Sequence, residues 1–390
     1  MIRIGRWVSV FAFVLGMSVA HADDKDPGGR LKLVESVPRD ELNSVVTAVV
    51  SPDGRFLYAS SWRTGIVTVF ARDLETGRLE LKQTITDPDN LNGVTGFSLS
   101  PDGRLAIATA FSSKTVVLYS RNPENGLLAR LDTARDGEGG VRLGFPIDVA
   151  FSPDSKTVCV LDDSGLGDEG KGAVSSFRIN DGKLVAAGTD EGRDGCYAGA
   201  RGLAFHPDGK TLLVACNRAG TLVVANRDPA SGRTSVRQVI KDEEGDVHGL
   251  AGAFGVVVSP DGRFAYVCAG RFQGDNAISA FRMGDDGRLV FLQEFLNGQG
   301  ELKNFEGGNH LGISPDGSNV YAAATRSGTI ACFGRDRASG KLTYIETIPD
   351  GPRVGESAAV AVSISPDGRF AYVPTEDKKA ISVFRREAGR

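Results

Sequence analysis

One four-residue turn recurs seven times along the chain. It reads Ser51-Pro52-Asp53-Gly54, Ser100-Pro101-Asp102-Gly103, Ser152-Pro153-Asp154-Ser155, His206-Pro207-Asp208-Gly209, Ser259-Pro260-Asp261-Gly262, Ser314-Pro315-Asp316-Gly317 and Ser365-Pro366-Asp367-Gly368. Successive copies lie 49, 52, 54, 53, 55 and 51 residues apart. Pro presets φ for the first central position, Asp favours the second, and Gly takes the left-handed position that opens the next strand with a bulge. Ser155 replaces that Gly, so the third turn is expected to hold a left-handed residue at a cost of about 1 kcal/mol.

Around each turn stand four short runs rich in β-branched and aromatic residues, seen most plainly from Val256 to Phe295. Such runs, punctuated by Gly, Asp and Pro, predict four antiparallel strands, A to D, and the period matches a propeller blade. Six copies also carry a C-to-D turn, Asp73 to Gly77, Asn122 to Gly126, Asn180 to Gly182, Asp228 to Gly232, Asp285 to Gly287 and Asp336 to Gly340. The seventh copy stops at Arg386 to Arg390 before any strand D, whereas Arg30 to Val37 opens like one. The expected fold is therefore all-β, a seven-bladed β-propeller of four-stranded antiparallel blades. In it Arg30 to Val37 pairs with Ala380 to Arg385 as the outer strand of the last blade. Closure has a physical motive, because an open array would leave two apolar blade faces in water.

Residues 1–22 read as a secretory signal. Arg3 and Arg6 precede an apolar run from Trp7 to Val19, and Ala20-His21-Ala22 offers the small residues that a signal peptidase accepts. The run falls short of the roughly 20 apolar residues that a membrane span needs. The expected product is thus a single propeller over residues 23–390, exported to the periplasm or the extracellular space, with no membrane anchor. Removing Arg3 and Arg6 takes the formal net charge from -4 to -6, and a mildly acidic chain without a basic block argues against nucleic acid as a partner. A monomer is expected. Of the five cysteines, Cys159, Cys216, Cys268 and Cys332 lie in apolar strand patterns, while Cys196 lies in a Gly/Asp loop. Cys196 to Cys216 is the candidate disulfide, and an odd count leaves at least one thiol outside any internal bridge.

In such a ring strand A lines the central channel. The Pro-Asp-Gly and C-to-D turns share one face, and the D-to-A and B-to-C connections gather on the other. The longer connections, Thr86 to Gly96, Ala134 to Pro146, Thr189 to Arg201, Lys241 to Gly255 and Asn297 to His310, place binding or catalysis on that second face. Trp62-Arg63 and Arg271-Phe272 end B strands there, and the pairing of an aromatic ring with a guanidinium makes Arg63 and Arg271 candidates for anionic or sugar-like ligands, with stacking between blade rims as the structural alternative. His248 is a candidate ligand or proton carrier at the channel mouth, or a solvated surface residue. The oxygen-rich stretch Asp162 to Glu169 could hold Ca²⁺, but it lacks EF-hand spacing and reads better as a solvated acidic loop. No metal site and no other cofactor is indicated. His206 replaces the Ser of a turn on the repetitive face and is expected to be structural.

The runs Asp275 to Arg282, Thr68 to Leu79 and Ser365 to Val373 resemble the seven-bladed lactonase family, which includes bacterial phosphogluconolactonases and fungal carboxymuconate cyclases. The resemblance spans residues 23–390 and rests on structural turns. It implies a lactone site of His and Arg side chains on the A strands, four or five residues before the turn, helped by a Glu after strand B. Here Asp148 stands where the first His is expected, Gly199-Ala200-Arg201-Gly202 keeps the Arg without the second His, Asn217-Arg218 replaces Asn-Glu, and a His at the same offset returns as His310. Opening a lactone requires a base for water and a cation for the developing oxyanion. The resemblance thus implies catalytic roles for Arg201, Asp148 and His310, with Arg218 as a ligand-binding residue. Arg201 and Asp148 could instead form a channel salt bridge, and His310 could be a hydrogen-bonded channel histidine. Two functions remain open at this stage: hydrolysis of a sugar or organic-acid lactone, and non-catalytic binding of a protein, glycan or small ligand on the loop face.

Overall fold

The structure, a computed structural model, describes residues 28–163, 171–350 and 358–388. The expected signal at 1–22, residues 164–169 of the acidic loop and the last two residues lie outside these. The described chain forms seven four-stranded antiparallel sheets, numbered here as blades one to seven by their turns. Strand A lies innermost, where it touches the A strands of neighbouring blades, and strand D lies outermost. The N-terminal strand Leu31–Pro38 is strand D of blade seven. It pairs with Ala380–Arg386, Val37 opposite Ile381 and Leu31 opposite Arg386, so the two ends of the chain close the ring as expected.

The apolar interior consists of seven clusters, one at each joint between blades. At the joint of blades one and two, for example, Tyr58, Val67 and Val69 meet Val94, Phe97, Ala106 and Tyr119. No blade covers its own faces, which is why the ring must close to bury them.

The repeated turn does more than reverse the chain. In blade one Ser51 Oγ donates to Asp53 Oδ1 at 2.6 Å and the Arg55 amide donates to the same oxygen at 3.0 Å, while the other oxygen, Oδ2, accepts Arg121 Nη2 from blade two at 2.7 Å. Arg121 ends strand C of blade two (Thr115–Arg121), and also donates to the Tyr58 hydroxyl at 2.6 Å and to the Gly103 carbonyl at 2.8 Å. Arg72, Arg335 and Arg386 make the same clamp onto Asp367, Asp261 and Asp316 and onto Tyr372, Tyr266 and Tyr321. Arg227 reaches Asp154 and Thr157 in blade three.

Two joints lack the clamp, and there both partners have become apolar together. Ile179 and Met283 occupy the arginine positions of blades three and five, donating their amides to Lys156 and Arg263 as Arg121 donates to Arg104. Ile107 and Leu213 occupy the facing tyrosine positions and share clusters with them. At the second of these joints His206 Nε2 lies 2.7 Å from the Gly262 carbonyl, the acceptor that a clamp arginine would otherwise take. His206 is therefore structural, as its place in the turn suggests. Ser155 adopts φ 58°, the left-handed conformation expected at the third turn.

The suggested Cys196 to Cys216 bridge is absent: all five cysteines are free thiols, and all are buried. Cys159, Cys196 and Cys216 pack in one apolar cluster between blades three and four, where each serves as a small hydrophobe. Burial pushes the Cys159 thiol up to about 11, which keeps it protonated and unreactive.

Candidate active site at the mouth of the channel

Every A strand in blades one to five contains one extra residue relative to strand B, the mark of a β-bulge. The skipped residues are Val46, Thr95, Ile147, Arg201 and Phe254, each five positions before its turn. In blade six the break takes in both Asn309 and His310. A bulge re-aims a side chain that a regular strand would direct elsewhere. Here the result is a ring: Val46, Thr95, Ile147, Arg201, Phe254, Asn309 and Val360, the same position in all seven blades, line one cavity of about 330 Å³.

Thr47, Asp148 and His310 join the lining from the next position along, where blades two, four and five have Gly96, Gly202 and Gly255. Those glycines are required by close approach. A Cβ on Gly202 would stand 2.4 Å from the Phe254 carbonyl oxygen, and one on Gly255 would stand 2.5 Å from that of Asn309. Trp62, Arg271, Phe272 and Glu376, at or just beyond the ends of B strands, complete the wall.

Asp148, Arg201 and His310 thus come together in one cavity, from blades three, four and six. The expected alternative pairing of Arg201 with Asp148 does not form. Arg201 Nη2 pairs instead with Asp163 Oδ2 at 2.5 Å, and Arg218 Nη2 holds the other oxygen of that carboxylate at 2.7 Å. Asp163 is 1 % exposed, so this pair stands behind the cavity wall. Burial presses the Arg201 guanidinium below its ordinary value; Asp163 works against that, and Arg218 and Arg271 add to it. Arginine nevertheless stays protonated. Its Nε is buried and has no hydrogen-bond partner among the described residues.

Asp148 accepts the Val149 amide at 2.8 Å and, across the joint, the Leu203 amide at 3.1 Å. Burial outweighs both bonds and pushes its carboxyl up to about 6. His310 moves the other way, down to about 4, because it is buried and lies near Arg271, with a backbone hydrogen bond to Val360 opposing the shift. It is a neutral imidazole at physiological pH. Its Nδ1 lies 2.8 Å from Asn309 Oδ1, and its ring meets Phe254 edge-on at 5.5 Å between centroids. Arg271 is held by Thr325 at 2.6 Å and by Glu376 at 3.0 Å. The guanidinium carbons of Arg201 and Arg271 lie 5.5 and 5.7 Å from the Phe272 ring.

The other sequence candidates stand apart from the lining. Arg218 holds Asp163 behind the lining and its charge lowers Arg201. Arg63 is exposed and stacks on its neighbour Trp62 at 5.2 Å. His248 pairs on the surface with Glu243 at 3.2 Å, which raises its pKa. The two described acids of the proposed Ca²⁺ stretch are engaged by arginines, Asp162 by Arg142 at 2.7 Å and Asp163 by Arg201 and Arg218. Among the described residues no cluster of three or more His, Cys, Asp or Glu could hold a metal ion.

Glu376, Thr325, Phe254 and Asn309 escaped sequence reading, and Asp163 was read only as part of the oxygen-rich stretch. Asp163, Glu376 and Thr325 occupy one position, the residue after strand B in blades three, seven and six. Reading that position down the copies, as the turns were read, would have found them.

The family described as a seven-bladed β-propeller lactonase matches residues 18–145 and 146–354. The chain is 24% identical over 196 residues to the 6-phosphogluconolactonase of Bacillus subtilis (strain 168), covering 50% of this chain and 51% of the relative. It is 25% identical over 154 residues to the 6-phosphogluconolactonase of Serratia proteamaculans (strain 568), covering 40% and 44%. The chain spans about half the length of the curated relatives it matches. A solved structure from Bacteroides fragilis NCTC 9343, assigned provisionally as a 6-phosphogluconolactonase, superposes with TM-score 0.64 at 20% identity over 89% of this chain and 92% of that one. A chain of Kuenenia stuttgartiensis hydrazine synthase superposes with TM-score 0.66 at 18% identity over 90% and 97%. Likeness to proteins of such different titles shows the fold alone. The family match covers most of the sequence, and the chain belongs to the seven-bladed β-propeller lactonases.

Proposed function

We propose that the protein is a hydrolase that opens a sugar or organic-acid lactone in the channel-mouth cavity. The observation that carries this reading is the convergence of Asp148, Arg201 and His310 on one cavity. Asp148 is the base. A carboxyl raised to about 6 is ionised at neutral pH yet more basic than an ordinary carboxylate, which suits proton removal from water. His310, lowered to about 4, is the weaker base and positions the substrate through a hydrogen bond. Arg201 stabilises the oxyanion with its guanidinium, which lines the cavity and keeps 14 % of its side-chain surface exposed.

In the reaction Asp148 takes a proton from water while the water oxygen bonds to the lactone carbonyl carbon, and the carbonyl oxygen becomes an anion beside Arg201. Collapse of that intermediate breaks the bond from carbon to ring oxygen. The proton on Asp148 passes to the departing alkoxide, giving a hydroxy acid. The protein acts outside the cytoplasm in this reading, after cleavage following Ala22.

Hydrolysis of a lactone panel by the purified protein and by Arg201→Ala tests the proposal. Loss of one oxyanion donor is expected to lower kcat by roughly 10²–10³-fold. Turnover that is insensitive to Arg201 would reject the site, and no turnover of any lactone would favour a non-catalytic ligand-binding propeller.

A further inference from the structure

The charges and rings of the cavity decide more than the reaction type. Two guanidinium groups line it, Arg201 and Arg271, and two carboxyl groups, Asp148 and Glu376; no lysine is among the lining residues. Both guanidinium groups are already committed, Arg201 to Asp163 and Arg271 to Thr325 and Glu376. The Arg201 side chain keeps 14 % of its surface exposed and that of Arg271 17 %, so each guanidinium presents only a small polar face to a ligand. The apolar part of the lining is Trp62, Phe254, Phe272, Val46, Ile147 and Val360, with both guanidinium groups stacked near the Phe254 and Phe272 rings. At about 330 Å³ the cavity is at the small end of ligand pockets.

We infer that the cavity selects an unphosphorylated ring lactone, neutral or singly charged, with its less polar face against Phe254, Phe272 and Trp62; this rests on the lactonase reading above. A phosphate monoester brings nearly two negative charges and three strong acceptors at neutral pH. Pairing with it would weaken the bond of Arg201 to Asp163 or of Arg271 to Glu376, and the dianion would lie beside the lining carboxyls Asp148 and Glu376 with no lysine to offset them. A neutral lactone does neither. Its carbonyl takes an N–H of the exposed part of the Arg201 guanidinium, and its carbon-bound hydrogens cover aromatic surface that water would otherwise meet.

Calorimetric binding of gluconate and of gluconate phosphorylated on its terminal hydroxyl, together with hydrolysis of the two corresponding lactones, tests the inference. Gluconate is expected to bind at least about tenfold more tightly, and its lactone to be hydrolysed with a kcat/KM higher by a similar factor, as one uncompensated charge at a few ångströms implies. Glu376→Gln removes one lining carboxylate and should narrow that preference by about tenfold. Equal or tighter binding of the phosphorylated acid, a preference unmoved by Glu376→Gln, or binding of neither acid would overturn the inference. Hydrolysis of neither lactone, with the binding preference intact, would instead reject the lactonase reading.

Discussion

Asp148 and His310 are half-buried side chains that line one cavity, and their environments push their pKa values past each other. The carboxyl rises to about 6 and the imidazole falls to about 4, so over the interval between them the carboxyl is protonated while the imidazole is neutral. With Asp148 as base, kcat/KM is expected to climb with pH through about 6 and then level off, and Asp148→Asn should abolish that acid limb along with most of the turnover; a pH profile of both proteins checks this. Stability responds separately. The folded pKa of His310 lies below its unfolded value of 6.5, so its contribution is complete above pH 6.5 and is lost as pH falls through about 4. For Asp148, raised from 3.8, the contribution is complete below 3.8 and is lost as pH rises through about 6. His310→Gln should therefore flatten the fall in Tm between pH 6.5 and 4. A scan in which the variant loses as much Tm as the parent would show that His310 does not titrate as described. Arg201, Asp148 and His310 were picked out by the resemblance to the lactonase family, from their offset before the turn, and the structure brings them to one cavity. The role of Asp163 was not legible, because it depends on a guanidinium arriving from another blade.

Within the elements, the Ser-Pro-Asp-Gly turn works as a turn and as half of a joint. Its Asp satisfies its own loop with one oxygen and the next blade with the other, as Asp53 does for Arg121. Arg121 is 1 % exposed at its side chain and Asp53 31 %, so the pair is buried on one side only. Arg121→Ala strands the Gly103 carbonyl, takes the cation from Asp53 and leaves the Tyr58 hydroxyl with only its bond to the Gly126 carbonyl, and is expected to cost about 2–4 kcal/mol in urea unfolding, below the full range for a wholly buried pair. Burial alone would raise the Asp53 carboxyl, yet bonds from Ser51 and Arg121 hold it below its ordinary value. The clamp is therefore present above pH 3.8 and is lost as acid protonates the turn aspartates. The sequence showed the turn plainly, since local φ preferences and side-chain bonds over two residues are written in adjacent letters. It hid the clamp, whose two halves are 68 residues apart. The bulges in the A strands were hidden too. They follow from seven strands crowding around one axis, where backbones pass so closely that glycine is needed beside the bulged residue in three blades.

At the scale of the molecule, ring closure by residues 31–38 distributes seven apolar clusters over seven joints and leaves no open blade face. Deleting residues 30–37 is expected to abolish the single cooperative unfolding transition, because blade seven would lose its outer strand and the joint to blade six would lose Leu31. An unchanged Tm in the truncated chain would sink this account of closure. The blade count, the strand order and the split seventh blade were all determined by the sequence itself, because periodic turns and apolar runs are local patterns repeated in register along the chain. The cavity was decided only by the tertiary structure. Its lining comes from single positions some fifty residues apart, turned inward by bulges. The partners of Arg201 and Arg271 and the opposite shifts of Asp148 and His310 arise from burial and charge contacts between blades, distances that no stretch of sequence encodes.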